Sequence, residues 1–324
     1  MAHRPVILQA LPMPPALAAG LADAYEVHQL PADPGVRSQY LQAQGARFEG
    51  LVTSAAAGFD SALLDALPNL RVVSSFGVGL DKLDLAAAAR RHIAVGYTPD
   101  VLNDCVADLA FALMLDVARR LSHADRYVRA GRWAPAPGTP ATSPFPLGRR
   151  VSGARLGIVG LGRIGRTIAH RASGFDMDVR YHSRRPVDGV AWQHVAKLAD
   201  LAQWCDFLVV IAAGGAQTRH LIDASVLDAL GPKGYLVNVS RGTVVDEAAL
   251  VRALQEGRIA GAGLDVYERE PHVPEALFAL DNVVLAPHIA SATVQTRQAM
   301  AQRVLANLAA FFAGQPMPSA APGP

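Results

Sequence analysis

A chain of 324 residues is longer than one hydrophobic core commonly serves, so its length points to two domains. With 51% hydrophobic and 18% charged residues it reads as a well-buried globular chain, which excludes a disordered one. The net charge of +2, with no stretch concentrating Lys and Arg, gives no footing for a nucleic-acid partner.

Along the chain, residues 1–10 lack the apolar core and small-residue cleavage site of a signal peptide. Short β-branched runs at 6–9, 26–29, 50–53, 71–74 and 93–95 read as strands, and 60–67 and 83–91 among the intervening segments read as helices. That alternation is the signature of parallel α/β layers. A long helix is expected from about Asn103 to Val128. Its apolar run around 109–115 is bracketed by Asp108 and Asp116, and no apolar stretch reaches membrane-spanning length. Asp104 and Asp108 on this helix read as cap and solvent-facing residues. Residues 133–148, rich in Pro, Gly and Thr, read as a loop. A second alternating series runs from Arg155 to near Pro287, followed by a helix over 293–313 and a Pro/Ala/Gly tail expected to be disordered. The two cysteines, Cys105 and Cys205, lack metal or redox spacing, so free thiols in a cytoplasmic protein are expected. His92, His123 and His182 show no ligand spacing, and no metal is proposed.

Residues 155–165, RLGIVGLGRIG, carry an apolar strand into Gly160, Leu161, Gly162, Arg163, Ile164 and Gly165. Gly160 permits a tight turn, Gly162 lets the backbone approach a pyrophosphate, and Gly165 lets the next helix pack closely on the sheet. The helix N-terminus then offers N–H groups to the phosphates. A bare glycine triplet is a weak signal, but the strand before it and the helical pattern after it supply the required context. About twenty residues on, an NAD enzyme places Asp or Glu against the ribose hydroxyls. Here the strand ends in Tyr181-His182-Ser183-Arg184-Arg185, a hydroxyl and two guanidinium groups suited to a 2′-phosphate. NADPH is the expected cofactor, with NAD possible.

Further strand ends carry Arg241 (YLVNVSRG), Asp265 and Glu270 (AGLDVYEREP) and His288 (NVVLAPH). Ligands of open parallel sheets gather outside the carboxyl ends of the strands, so these residues can converge. Reduction of a 2-oxo acid needs a cation for the carboxylate, a proton for the developing alkoxide and a hydride donor. Arg241 suits the first requirement, and His288 with Glu270 beside it suits the second. Singly, each is more often a surface or structural residue; together, behind a dinucleotide fingerprint, they make coincidence the poorer account.

With SSFGVGLDKLDL, LDALGPKGYLVNVSRGTVVDEAAL and NVVLAPHIASAT added, the sequence resembles the D-isomer-specific 2-hydroxyacid dehydrogenases over nearly its whole length, in the hydroxypyruvate/glyoxylate and hydroxyphenylpyruvate reductase branch. The resemblance implies Arg241 as the substrate-binding cation, His288 as acid/base and Glu270 as its partner. It places Val239 and Ser240 on the cofactor and Asp265 at the nicotinamide end. It also implies an α/β fold of two Rossmann-like, doubly wound parallel-sheet domains, with the cofactor domain (99–290) inserted into a flavodoxin-like substrate domain (1–98 plus 291–324). Homodimers built through the cofactor domain and its long helix are implied as well.

For the substrate, Gly77-Val78-Gly79 follows an apolar strand, and the backbone N–H groups of Val78 and Gly79 can meet a carboxylate. The loop Thr53-Ser54-Ala55-Ala56, with Ser54 toward the substrate, has no Arg or Lys. Its neutrality speaks against phosphoglycerate and for glyoxylate, hydroxypyruvate or an aromatic 2-oxo acid. Phe76 either packs on the substituent or belongs to the core. Trp133 either reaches a partner subunit's pocket or anchors the Pro-rich loop. Two rivals remain: an NAD-linked dehydrogenase of other specificity (hydroxyphenylpyruvate, 2-ketogluconate, phosphoglycerate, formate or phosphite), and a dinucleotide-sensing binding protein of the same fold.

Overall fold

The computed structural model describes residues 4–133 and 145–323, so most of the loop expected at 133–148 lies outside the described residues. The chain divides into two compact units, one of residues 1–102 with 292–324 and one of residues 103–291.

In the first unit, strands β1 (Val6–Gln9), β2 (Glu26–Gln29), β3 (Gly50–Ser54), β4 (Val72–Phe76) and β5 (Ala94–Gly96) form one parallel sheet in the order β2-β1-β3-β4-β5. This is a flavodoxin-like, doubly wound order. β3 (GLVTS) and β4 (VVSSF) are buried on both faces, which is why neither shows a two-residue polar/apolar alternation and why only small hydroxyl side chains break their apolar character. Short helices between strands begin where an aspartate takes an orphan N–H, as Asp60 does for Leu63 (2.8 Å) and Asp84 for Ala87 (2.8 Å). The helix Val294–Phe312 buries Met300, Val304 and Leu308.

The C-terminal tail departs from the disorder expected of it. Asn307 is fully buried on that helix, and a buried amide must find partners. It donates to the Tyr97 carbonyl (3.1 Å) and accepts the Ser319 N–H (3.1 Å), while Ala320 pairs with Gly96 of β5 as an antiparallel bridge. The tail is thus tied to the sheet edge by a contact that its composition does not announce.

In the second unit, strands β6 (Arg155–Val159), β7 (Asp178–His182), β8 (Gln193–His194), β9 (Phe207–Val210), β10 (Tyr235–Asn238), β11 (Gly261–Leu264) and β12 (Val283–Leu285) run parallel in the order β12-β11-β10-β9-β6-β7-β8. The order reverses between β6 and β9, the switch point at which such sheets bind ligands. The helix Asn103–Arg119 packs close on β11 because that strand carries glycines. A Cβ on Gly263 would lie 2.9 Å from the Leu113 Cβ, and one on Gly261 would lie 2.9 Å from a Val117 methyl.

The single long helix expected over 103–128 is two. Arg120 adopts a left-handed conformation (φ 56°), and a second helix, Leu121–Arg129, starts after it. Asp116 stabilises the restart by accepting the Ser122 N–H (2.8 Å) and its hydroxyl (2.5 Å). Apolar spacing continues through the break, which is why periodicity alone does not reveal it. Asp104 and Asp108 are not simply solvated: both accept from the guanidinium of Arg171 (3.0 and 2.8 Å). Among the described residues, no helix is long and apolar enough to cross a membrane.

Candidate functional site

The glycine turn at the end of β6 has the geometry a dinucleotide requires. Gly160 has φ +100°, and a Cβ there would sit 2.8 Å from the Ala212 backbone beyond β9. A Cβ on Gly165 would lie 2.2 Å from the Gly160 carbonyl, so the helix Arg163–Ala172 approaches the turn only because that Cβ is missing. Gly162 is different: a Cβ there meets nothing within 4 Å. Protein packing therefore does not demand that glycine, whereas a pyrophosphate lying against the backbone does. No side chain caps the helix that starts after Gly162, an arrangement that leaves first-turn N–H groups to an anion. Leu161 is buried and Ile164 half-buried, while Arg163 is exposed on the rim. These residues fit a dinucleotide.

At the end of β7, Ser183 donates its hydroxyl to the Arg185 carbonyl (2.6 Å), and the His194 ring meets the Ser183 carbonyl (3.0 Å). Arg184 and Arg185 are exposed. Arg184 donates to the side-chain oxygen of Gln217 (2.7 Å), a residue that sequence reading did not single out.

Arg241 stands on a turn organised by Asn238. The Asn238 amide donates to the Arg241 carbonyl (3.1 Å) and accepts from the Ser240 N–H (3.1 Å) and hydroxyl (2.9 Å). Val239 and Ser240 are both buried, and the Arg241 guanidinium donates to the Ser240 carbonyl (2.9 Å). Gly242 then lets the turn press on the 267–268 segment, where a Cβ would fall 1.8 Å from the Tyr267 carbonyl carbon.

His288 and Glu270 are brought together. Nδ1 of His288 lies 2.7 Å from one Glu270 oxygen, and the other oxygen accepts the Tyr267 N–H (3.1 Å). Burial opposes ionisation of Glu270, but the His288 bond and charge, the Tyr267 N–H and Arg241 prevail and hold its carboxyl below the ordinary range. With Nδ1 bound to a carboxylate, Nε2 is the ring atom left for chemistry, and the side chain is 41% exposed.

Asp265 lies beneath this pair, fully buried. Its carboxylate accepts the N–H groups of Ile289 (2.7 Å) and Ala290 (2.9 Å), and its carbonyl accepts the N–H of His288 (2.9 Å). His288 has φ 55°, a left-handed conformation disfavoured for residues with a side chain. One aspartate thus ties down three successive N–H groups at the strained residue. Burial lifts the Asp265 carboxyl above its usual range, against the pull of the Ile289 and Ala290 amides.

A second His–Glu pair, absent from the sequence reading, lies in the same unit. His220 (φ 51°) sits 3.0 Å from Glu268 through Nε2, and Glu268 also accepts from Arg219 (2.7 Å). The His220 bond, reinforced by Arg219 and opposed by burial, lowers the Glu268 carboxyl.

In the first unit, Ser54 and Phe76 are register partners at the ends of β3 and β4. Gly77 has φ +146°, and a Cβ on it would lie 2.5 Å from the Ala55 Cβ, so the turn into the half-buried Val78 and Gly79 requires glycine. Its N–H is held by the Thr98 hydroxyl (3.1 Å). The Ser54 hydroxyl accepts the Ala57 N–H (3.1 Å). Phe76 is buried, with the Arg297 guanidinium 5.5 Å from its ring centre. Trp133 is 63% exposed.

Residues 111–290 match the family model described as D-isomer specific 2-hydroxyacid dehydrogenase, NAD binding domain. Among curated proteins, the chain is 49% identical to glyoxylate/hydroxypyruvate reductase A of Arabidopsis thaliana, over 86% of this chain and 87% of that protein. It is 45% identical to hydroxyphenylpyruvate reductase of Plectranthus scutellarioides, over 96% and 97% of the two chains. Among solved structures, the NADPH-dependent glyoxylate/hydroxypyruvate reductase of Sinorhizobium meliloti, in complex with NADP and malonate, superposes with a TM-score of 0.89 at 43% identity, covering 98% of this chain and 97% of that one. The glycine turn at the switch point, the His–Glu pair beside Arg241 and likenesses that run almost end to end agree: this chain belongs to the D-isomer-specific 2-hydroxyacid dehydrogenase family.

Proposed function

We propose that the chain is an NADPH-preferring reductase of small 2-oxo acids, glyoxylate and hydroxypyruvate foremost, that yields the D-2-hydroxy acid. The observation that carries this reading is the His288–Glu270 bond of 2.7 Å, which holds the ring through Nδ1 and leaves Nε2 to exchange a proton with the substrate. Gly160, Leu161, Gly162, Arg163, Ile164 and Gly165 would hold the dinucleotide at its pyrophosphate, and Ser183, Arg184 and Arg185 at its 2′-phosphate; when bound, it would supply the hydride. Val239 and Ser240 are assigned to the same cofactor.

Arg241 takes the substrate's carboxylate and carbonyl oxygens through its forked donors, orienting the carbonyl and drawing charge toward oxygen. In the first unit, the backbone N–H groups of Val78 and Gly79 are suited to a carboxylate and the neutral loop of Ser54 to an uncharged substituent. His288 delivers its Nε2 proton to the carbonyl oxygen as charge develops there. Glu270 stays ionised and keeps the ring oriented, so the neutral imidazole left behind carries its remaining proton on Nδ1. In the oxidative direction the same ring takes the proton back. Both Asp265 oxygens are engaged by backbone amides, so its influence at the nicotinamide end runs through the 288–290 turn.

A homodimer belongs to the same proposal, supported by Leu121, Val128 and Trp133, large apolar residues more than half exposed on and just after one helix. A cytoplasmic setting is supported by the free thiols Cys105 and Cys205. The test is loss of reduced-nicotinamide absorbance with NADPH and NADH offered separately, each with glyoxylate, hydroxypyruvate and 4-hydroxyphenylpyruvate. Rapid NADPH oxidation with either of the first two is expected. Cofactor binding with no turnover of any of them would instead favour a dinucleotide sensor.

A further inference from the structure

The proposed 2′-phosphate site has a feature that the Ser183-Arg184-Arg185 motif does not contain. Arg184 follows β7, whereas Gln217 lies on a single 3₁₀ turn, Ala216–Thr218, after β9. The strand between them is β6, whose end carries the glycine turn. The 2.7 Å bond from the Arg184 guanidinium to the Gln217 side-chain oxygen therefore links the two strand ends that flank the dinucleotide turn. Both ends are anchored. The Thr218 hydroxyl donates to the Ala213 carbonyl (2.7 Å), and its N–H donates to Gly215 (3.1 Å). On the other side, the Ser183 hydroxyl and the His194 ring fix the 183–185 turn.

We infer that Gln217 is a specificity-determining residue for the cofactor: it positions the Arg184 guanidinium with a neutral acceptor, leaving the full positive charge for a 2′-phosphate. An amide oxygen orients a guanidinium without cancelling its charge, whereas a carboxylate there would form a charge-assisted pair and compete with the phosphate for the same donors. Glu is close to Gln in shape, and both side chains here are exposed, so exchanging one for the other changes the charge and little else.

This inference rests on the NADPH reading, and the experiment separates the two. It measures kcat/KM for NADPH and NADH in the wild type, Gln217→Glu, Gln217→Ala and the double variant Arg184→Ala/Arg185→Ala. In Gln217→Glu the NADPH/NADH ratio should fall about tenfold or more, chiefly through KM for NADPH, with NADH use nearly unchanged. Gln217→Ala keeps the charge and loses only the orientation, so its ratio should fall by no more than about threefold. An unchanged ratio in Gln217→Glu, alongside a collapsed ratio in the double variant, overturns the role of Gln217 and leaves the NADPH reading standing. A wild type that favours NADH, or a double variant that loses both cofactors equally, overturns the NADPH reading and the inference with it.

Discussion

The second unit holds two His–Glu pairs that look alike in outline. In each, a histidine with positive φ meets a glutamate at 3.0 Å or less, and the glutamates are two residues apart, at 268 and 270. Their surroundings separate them. Glu268 divides its charge between His220 and Arg219, and its backbone N–H is held by Glu247 (3.1 Å), so the pair closes on itself as a structural knot. Glu270 spends one oxygen on the Tyr267 N–H and the other on His288, whose backbone is locked from below by Asp265. A His–Glu contact by itself is thus no mark of catalysis. What sets the proposed catalytic pair apart is that His288 meets its glutamate through Nδ1, which leaves Nε2 for a substrate, whereas His220 meets its glutamate through Nε2; the Asp265 carboxylate also pins the turn that follows His288.

That contrast can be broken or sharpened by substitution. Arg241→Ala, which removes the carboxylate's forked donor, should lower kcat/KM by roughly 1000-fold. Steady-state kinetics with glyoxylate reads this, and a loss below tenfold would move the substrate cation elsewhere. Glu270→Gln keeps the shape and loses the charge that orients and supports the imidazolium, so kcat should drop roughly 100-fold while NADPH affinity holds. Asp265→Asn leaves one acceptor for two N–H groups and loosens the 288–290 turn. We expect kcat to fall about tenfold with KM for the oxo acid little altered, read with nucleotide affinity as the control.

Glu268→Gln should change turnover by less than about threefold and act on stability instead. Its carboxyl titrates below the ordinary value in the folded chain. The stability it contributes is therefore present above about pH 4.3 and fades as pH falls through the lower folded value. The Tm of Glu268→Gln should lie below wild type near neutrality, and the gap should close in acid. A gap that widens in acid would reverse the assigned sign.

One side of this contrast, the Arg241, Glu270 and His288 set, is legible in the sequence, and the part that is not has a physical cause. Apolar strands and the Gly160, Gly162 and Gly165 spacing are local signals, so the parallel sheets and the dinucleotide turn follow from chain order. Arg241, Asp265 and His288 each stand within three residues of the end of an apolar strand, and Glu270 lies on the segment that follows Asp265. What stayed hidden depends on contacts between distant residues or on single backbone angles. The bonds from Asp265 to residues 288–290 join segments more than twenty residues apart, and the Arg184–Gln217 bond spans 33. The helix break at Arg120 and the docked tail at Asn307 and Ser319 hinge on one left-handed residue and one buried amide, neither of which alters hydrophobic periodicity. The His220–Glu268 pair is missed for the same reason: its partners are 48 residues apart.

The most direct test of the account sets His288→Ala beside His220→Ala, measuring NADPH binding by fluorescence and single-turnover reduction of glyoxylate on the same samples. Both variants should bind NADPH as the wild type does, His220→Ala should turn over within about threefold of it, and His288→Ala should lose roughly 1000-fold or more. Near-normal turnover in His288→Ala, or an equal collapse in both variants, would contradict the assignment of the proton to His288.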